Sequence, residues 1–525
     1  MKKIFYIALF ALFTFVMVAC DGNHPFSIVV DNVSELRDSI VLDLTLVDED
    51  KQLEKSEIKG TISKKGSKTV LFTKTLKFDS KNEEEVSFTG LDANAGYHVI
   101  IFAGYDGKKV TLVEIDVTTS NKGATIADPY PIDSYDDFAN LVKKDNDGYF
   151  KLVSDIDFNG KSVSPLFSSS TPFAGHFDGN GKTIKNFKVA DTDQDGNYKH
   201  VTSSTQYYGF FGYIGANGIV ENVTLDSFNV YVARATSLSS SKQSHYGLLA
   251  GYNAGTIKDV TVTNSILSVK STNKTTNLVV VGGLVGNLAG KGTISDVNVN
   301  ANVAIVGSVD VNLGGVVGST VNAERIAKTA NIKNAKYNGE IDVTLEGNSC
   351  SAPTSIGGIV GKNFSALIDN CEASGTIKVN SKFTKVGVQT INVGGLVGWM
   401  VSDNAVASNS KSSTLFDITT LDVPAAEDEK LTVNVGLLVG QNGGVAPASS
   451  MVSNCSYIVK DSSNTVNVTS SEKVLVSVDL VANKVSSYNE CSADKDASVL
   501  VKKYGVPAEG AEATVESEET ITIGA

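Results

Sequence analysis

The sequence predicts an all-β protein: an immunoglobulin- or fibronectin-like β-sandwich followed by a long stacked solenoid with a short helix at its start. Three observations carry that prediction. A short apolar strand closed by glycine recurs from Gly212 onward, at Gly251, Gly286, Gly318, Gly361, Gly398 and Gly440, with separations of 39, 35, 32, 43, 37 and 42 residues. After each comes a polar residue followed by a small or apolar one: Asn222-Val223, Asp259-Val260, Asp296-Val297, Asn334-Ala335, Asn370-Cys371, Asn409-Ser410, Asn454-Cys455 and Glu490-Cys491. The first hundred or so residues instead hold about seven alternating strands without a helical period. One glycine-closed unit cannot bury its own apolar face, so copies must stack, with variable loops between fixed strands.

In chain order, Lys2 and Lys3 precede an apolar run, Ile4 to Val16, that is short for a membrane span. Met17-Val18-Ala19-Cys20 then resembles a lipobox, so residues 1–20 are expected to be a lipoprotein signal, with Cys20 the lipidated residue. Two acyl signals hold a protein firmly at a membrane where one does not. Residues 26–119 are the expected sandwich. Within them Leu91-Asp92-Ala93-Asn94-Ala95-Gly96-Tyr97 resembles the corner of fibronectin type III domains, where a buried tyrosine returns its hydroxyl to the backbone upstream. Residues 120–131, with Gly123, Pro129 and Pro131, read as a linker.

Residues 132–506 are the expected solenoid. Ser134, Asp137, Phe138 and Leu141 have the spacing of a capped helix, placed to cover the first coil. The decayed copy VDLVAN puts Ala482 where glycine stands elsewhere, and residues 507–525 form an acidic tail. The recurrent GGLVG strand with its following TIS-type strand resembles the GLUG motif of bacterial surface proteins, over about residues 150–500. That resemblance implies a right-handed parallel β-helix on a secreted or surface-anchored protein, and implies no reaction. With the lipobox, it places the chain at the bacterial outer membrane, lipid-anchored and facing outward.

Composition narrows function. There are 45 basic and 58 acidic residues, a net charge of −13, and Arg37, Arg234 and Arg325 are the only arginines. Without a basic stripe, nucleic acid is excluded as a partner. The five histidines lack HExxH spacing, and no G-x-S-x-G elbow or phosphate loop occurs. Asp191, Asp193 and Asp195 alternate toward Gly196 as carboxylates do in a calcium loop. Thr202 stands at the twelfth place and no helices flank the run, so an ordinary acidic loop is the favoured reading and calcium, the one cofactor in view, the alternative. Cys371, Cys455 and Cys491 occupy the inward place of the second column and are expected as free thiols; Cys455 and Cys491 lie on neighbouring repeats, where a bridge is the alternative. Trp399 follows Gly398 at a strand end, as a core residue or an exposed ring for sugar stacking.

The expected role is therefore non-enzymatic adhesion to host, matrix or glycan material along the solenoid face. Two rivals stand beside it. Pectin-degrading enzymes share the β-helix, so a polysaccharide lyase or glycoside hydrolase is one. A structural spacer of the envelope is the other.

Overall fold

The computed structural model describes residues 24–525 except 164, 236–242, 272–277, 308–309, 322–330, 349–351, 386–387, 403, 421–429, 444–450, 460–465, 472–473, 483–487, 495–497, 505–514 and 524–525. The signal segment with Cys20, and Cys350, lie outside the described residues. Contacts divide the chain into two units, Met1–Tyr130 with Asp136–Tyr149, and Pro131–Tyr135 with Phe150–Ala525.

The first unit contains β1 (Ser27–Glu35), β2 (Ser39–Val47), β3 (Ile58–Lys64), β4 (Val70–Leu76), β5 (Glu83–Thr89), β6 (Gly96–Tyr105) and β7 (Lys108–Thr118). They form two antiparallel sheets, β1-β2-β5 and β4-β3-β6-β7. Alternation puts Ile40, Leu42, Leu44 and Phe88 of one sheet, and Ile62, Tyr97, Val99 and Ile101 of the other, into one core. The Tyr97 ring is buried and its hydroxyl accepts the Asp92 backbone N–H at 2.8 Å, the corner geometry expected from Leu91 and Tyr97. Helix α1 (Tyr135–Asn140) forms as expected. Its residues from Asp136 onward group with this unit, however, and not with the solenoid to which the sequence assigns them. The reason is polar: Asn32 Nδ2 donates to Asn140 Oδ1 at 3.0 Å, and just beyond the helix Lys144 pairs with Asp43 at 2.8 Å.

The second unit is a parallel β-solenoid. One long ladder runs through His176–Lys185, Ile219–Asp226, Thr256–Ser271, Asn298–Gly307, Lys336–Asn348, Glu372–Lys385, Lys411–Thr420, Val466–Ser471 and Ser498–Tyr504, each strand parallel to the one before. A last strand, Val515–Thr522, pairs antiparallel with Ser498–Tyr504, so part of the expected tail is a strand. Its glutamates make a charged edge that discourages further pairing.

The second sequence column is the corner of each coil. All eight polar residues, from Asn222 to Glu490, have φ between 49° and 56°, the left-handed region that asparagine and aspartate tolerate best. The side chains stack in rows: Asn370 Nδ2 donates to Asn334 Oδ1, and Asn334 Nδ2 to Asp296 Oδ1, both at 2.7 Å. The next residue then turns inward, and Val223, Val260, Val297, Ala335, Cys371 and Cys455 are all buried. Cys371, Cys455 and Cys491 are free thiols, Cys491 only half-buried.

Candidate functional site

The glycine motif builds a second, folded sheet. In the third copy, Val279–Gly282 runs straight, bends at Gly283-Leu284, and continues as Val285–Leu288. A Cβ on Gly282 would lie 1.9 Å from the Val285 carbonyl oxygen, so no other residue closes this bend. A Cβ on Gly286 would lie 2.8 Å from the Tyr246 nitrogen of the previous coil, which is why the closing glycine recurs. The strands on either side of the bend thus approach at backbone distance, coil after coil, and bury both faces.

Two columns flank this bend. Before it stand Tyr207, His245, Val280, Asn312, Ser355, Asn392 and Asn434, in register. After it stand Tyr213, Tyr252, Asn287, Ser319, Lys362, Trp399 and Gln441. In the middle coils the columns are buried and polar. Among the described residues, Asn312 Nδ2 and Oδ1, Ser319 Oγ, Ser355 Oγ, Asn287 Oδ1 and Asn392 Nδ2 find no hydrogen-bond partner. Each such atom costs roughly 1–3 kcal/mol unless water or another group satisfies it.

At the N-terminal end the same columns become aromatic. The Tyr213 and Tyr252 rings stack at 4.2 Å and 15°, Tyr207 stacks on His245 at 5.2 Å, and Tyr207 meets both Tyr213 and Tyr252 edge-on. The three tyrosines are half-buried, so part of the stack is open to solvent. Burial, with the hydroxyl contact to Tyr252, pushes the Tyr213 phenol up; burial alone holds His245 down at about 4, a neutral ring. Such a platform offers apolar faces and hydroxyl hydrogen bonds to a flat ligand. The sequence reading missed it, although the place directly after the closing glycine that drew attention to Trp399 also names Tyr213 and Tyr252. Trp399 itself is occupied: Nε1 donates to the Gly443 carbonyl at 3.0 Å and Lys362 Nζ sits 4.2 Å over the ring.

The other sequence candidates resolve as structure. Asp191–Thr192 and Tyr198–Lys199 form a hairpin, and the Asp193 carboxylate accepts the backbone N–H groups of Asp195 and Asn197. Among the described residues no three histidine, cysteine, aspartate or glutamate side chains gather to hold a metal. The run Asp191, Asp193 and Asp195 lies in this hairpin, and Asp193 holds its turn. A shallow cleft of about 420 Å³ lies over the corner ladder, lined by Asp178, Asn180, Asn222 and Asp259 among others. Burial works against the Asp178 charge, yet hydrogen bonds from Asn222 and Asn180 and the Lys151 ammonium at 3.3 Å hold its carboxyl below the usual range. A general acid needs the opposite shift. The carboxyl that burial and Asp147 raise to about 7, Asp145, sits in the first unit beside Arg37 at 3.6 Å.

The fold and its bends define the class: a parallel β-solenoid built on glycine-closed repeats. Residues 352–378 match the family described as the GLUG motif. A putative Gly-rich membrane protein of Evansella cellulosilytica is 34% identical over 145 residues, 26% of this chain and 15% of that protein. Halomucin of Haloquadratum walsbyi is 27% identical over 180 residues, 32% of this chain and 2% of its own length. The chain thus spans a small part of these relatives. Among solved structures, a family 28 exopolygalacturonase of Yersinia enterocolitica covers 90% of this chain and 100% of its own, at 11% identity and a TM-score of 0.18. Pectate lyase PelI of Erwinia chrysanthemi covers 95% of each, at 10% identity and 0.13. At such scores the fold rests on the strand pairing above.

Proposed function

We propose that this GLUG-motif solenoid is a lipid-anchored surface adhesin, held through Cys20 at the outer membrane, that binds glycan or matrix ligands without bond chemistry. The fibronectin-like sandwich serves as the spacer between anchor and solenoid. The observation that carries the reading is the stack of Tyr207, Tyr213 and Tyr252, half-exposed where Asn287 and Ser319 of the following coils are buried. Nothing in the packing of the core requires three tyrosines there, since Val280 and Asn287 fill the same places one coil on.

The test is a glycan and matrix-protein array probed with residues 21–525, with and without calcium, beside a Tyr213→Ala/Tyr252→Ala variant. Reproducible binding that the variant loses is expected. Time-dependent loss of an array glycan would replace this reading with an enzyme, and a blank array would replace it with the spacer.

A further inference from the structure

A second surface of the early coils carries a different chemistry. Tyr198, Lys199, His200, Ala233 and Lys270 line an open cleft of about 470 Å³. In a chain with 58 acidic residues, none lines it. Neither Lys199 nor Lys270 forms an ion pair among the described residues, although Asp191 stands opposite Lys199 in the hairpin register. Lys270 lies near enough to His200 to help burial depress its imidazole, so the cleft gathers positive charge. The walls are aromatic: Tyr198 is 40% exposed and packs on Tyr231 at 5.2 Å, with Lys188 4.8 Å over its ring. His200 meets Tyr231 edge-on and is fixed by a 2.9 Å contact between Nε2 and Ser268 Oγ. This cleft shares no residue with the tyrosine stack.

We infer that the cleft binds an acidic sugar, its carboxylate or sulfate ester held between Lys199 and Lys270, beside the partly exposed Tyr198. The inference rests on the ligand-binding reading above, but on a separate surface. The volume is within the range of small-molecule sites and too large for a bare inorganic anion. The cations are lysines, which act as point charges and accept either anion, whereas bidentate phosphate recognition would call for arginine. A neutral sugar would leave both ammonium groups without a partner.

The test uses residues 21–525 and calorimetric titration with three hexasaccharides: hyaluronan (carboxylate only), chondroitin sulfate (carboxylate and sulfate) and the neutral N-acetylchitohexaose. At least one acidic probe is expected to bind at least tenfold tighter than the neutral one, with a loss of tenfold or more in a Lys199→Ala/Lys270→Ala variant. Raising salt from about 50 to about 500 mM should weaken the binding, because the contact is exposed and electrostatic. Preference for one acidic probe over the other tells carboxylate from sulfate. Acidic binding unchanged in the lysine variant, equal binding of the neutral probe, or no acidic binding would overturn the inference. The Tyr213→Ala/Tyr252→Ala variant separates the two claims. If it abolishes array binding while the lysine variant does not affect any probe, the adhesin reading stands and this site fails. If acidic probes bind through the lysines while the tyrosine variant changes nothing on the array, this site stands and the tyrosine platform fails.

Discussion

His245 gives the protein an acid-sensitive point that can be worked out from its surroundings. The ring is buried between Tyr207, stacked at 5.2 Å, and Tyr252, and its Nδ1 has no partner among the described residues. Burial lowers its pKa from 6.5 to about 4, so the folded coil holds it neutral where an unfolded coil would protonate it. Between those two values the unfolded state binds more protons, and stability must fall as pH falls through the window. Near pH 4.5 the lost contribution is about 2.5 kcal/mol, or roughly 70-fold in the opening equilibrium. Solenoids open coil by coil, so a global melting point averages the effect away. The assay is amide hydrogen exchange at Ser244–Gly247 between about pH 7 and about pH 4.5, normalised to intrinsic rates and compared with a His245→Phe variant that keeps the aromatic stack. The wild-type segment should lose protection that the variant keeps. Equal losses in both proteins, or an NMR titration of His245 near its ordinary pKa, would refute the reasoning.

Three further outcomes follow from the same geometry. Gly398→Ala should cost about 3 kcal/mol or prevent the coil from forming, whereas Gly104→Ala should stay within about 0.5 kcal/mol. A Cβ at Gly398 would sit 2.4 Å from the Ile356 nitrogen, and one at Gly104 meets nothing within 4 Å; urea unfolding followed by circular dichroism decides this. Asn312→Val should stabilise the protein by about 1 kcal/mol, because it removes an unpaired buried amide where the previous coil already carries Val280. A destabilised variant would show instead that a buried water satisfies Asn312. In native protein a thiol reagent should modify Cys491 first and Cys371 last, by peptide mass mapping. Cys491 is half-exposed and its contact with the Cys455 thiol holds it down at about 7, while burial pushes Cys371 up to about 12.

The coils were legible in the sequence because their corners need particular residues. A left-handed φ selects Asn or Asp, the next residue must fit inside, and the pair recurs from Asn222 to Glu490 whatever the loops do. The glycine strands were legible for a related reason, since a Cβ at Gly282 or Gly286 has no room. What they enclose was not. Period-two alternation gives a strand one dry face and one wet face, and by that rule alone Asn312, Ser355 and Asn392 would face solvent. The bend folds that wet face against the neighbouring strand and buries all three. The tyrosine stack escaped notice because Tyr213 and Tyr252 are 39 residues apart and meet only when register aligns them. The same register brings the rings together at the N-terminal coils. Large rings at Tyr207, Tyr213 and Tyr252 stay half-exposed where Val280 and Asn287 of the next coil are buried. The aromatic end is thus where the columns depart from the small residues of the next coils, and it is on such local departures that the proposed binding role rests.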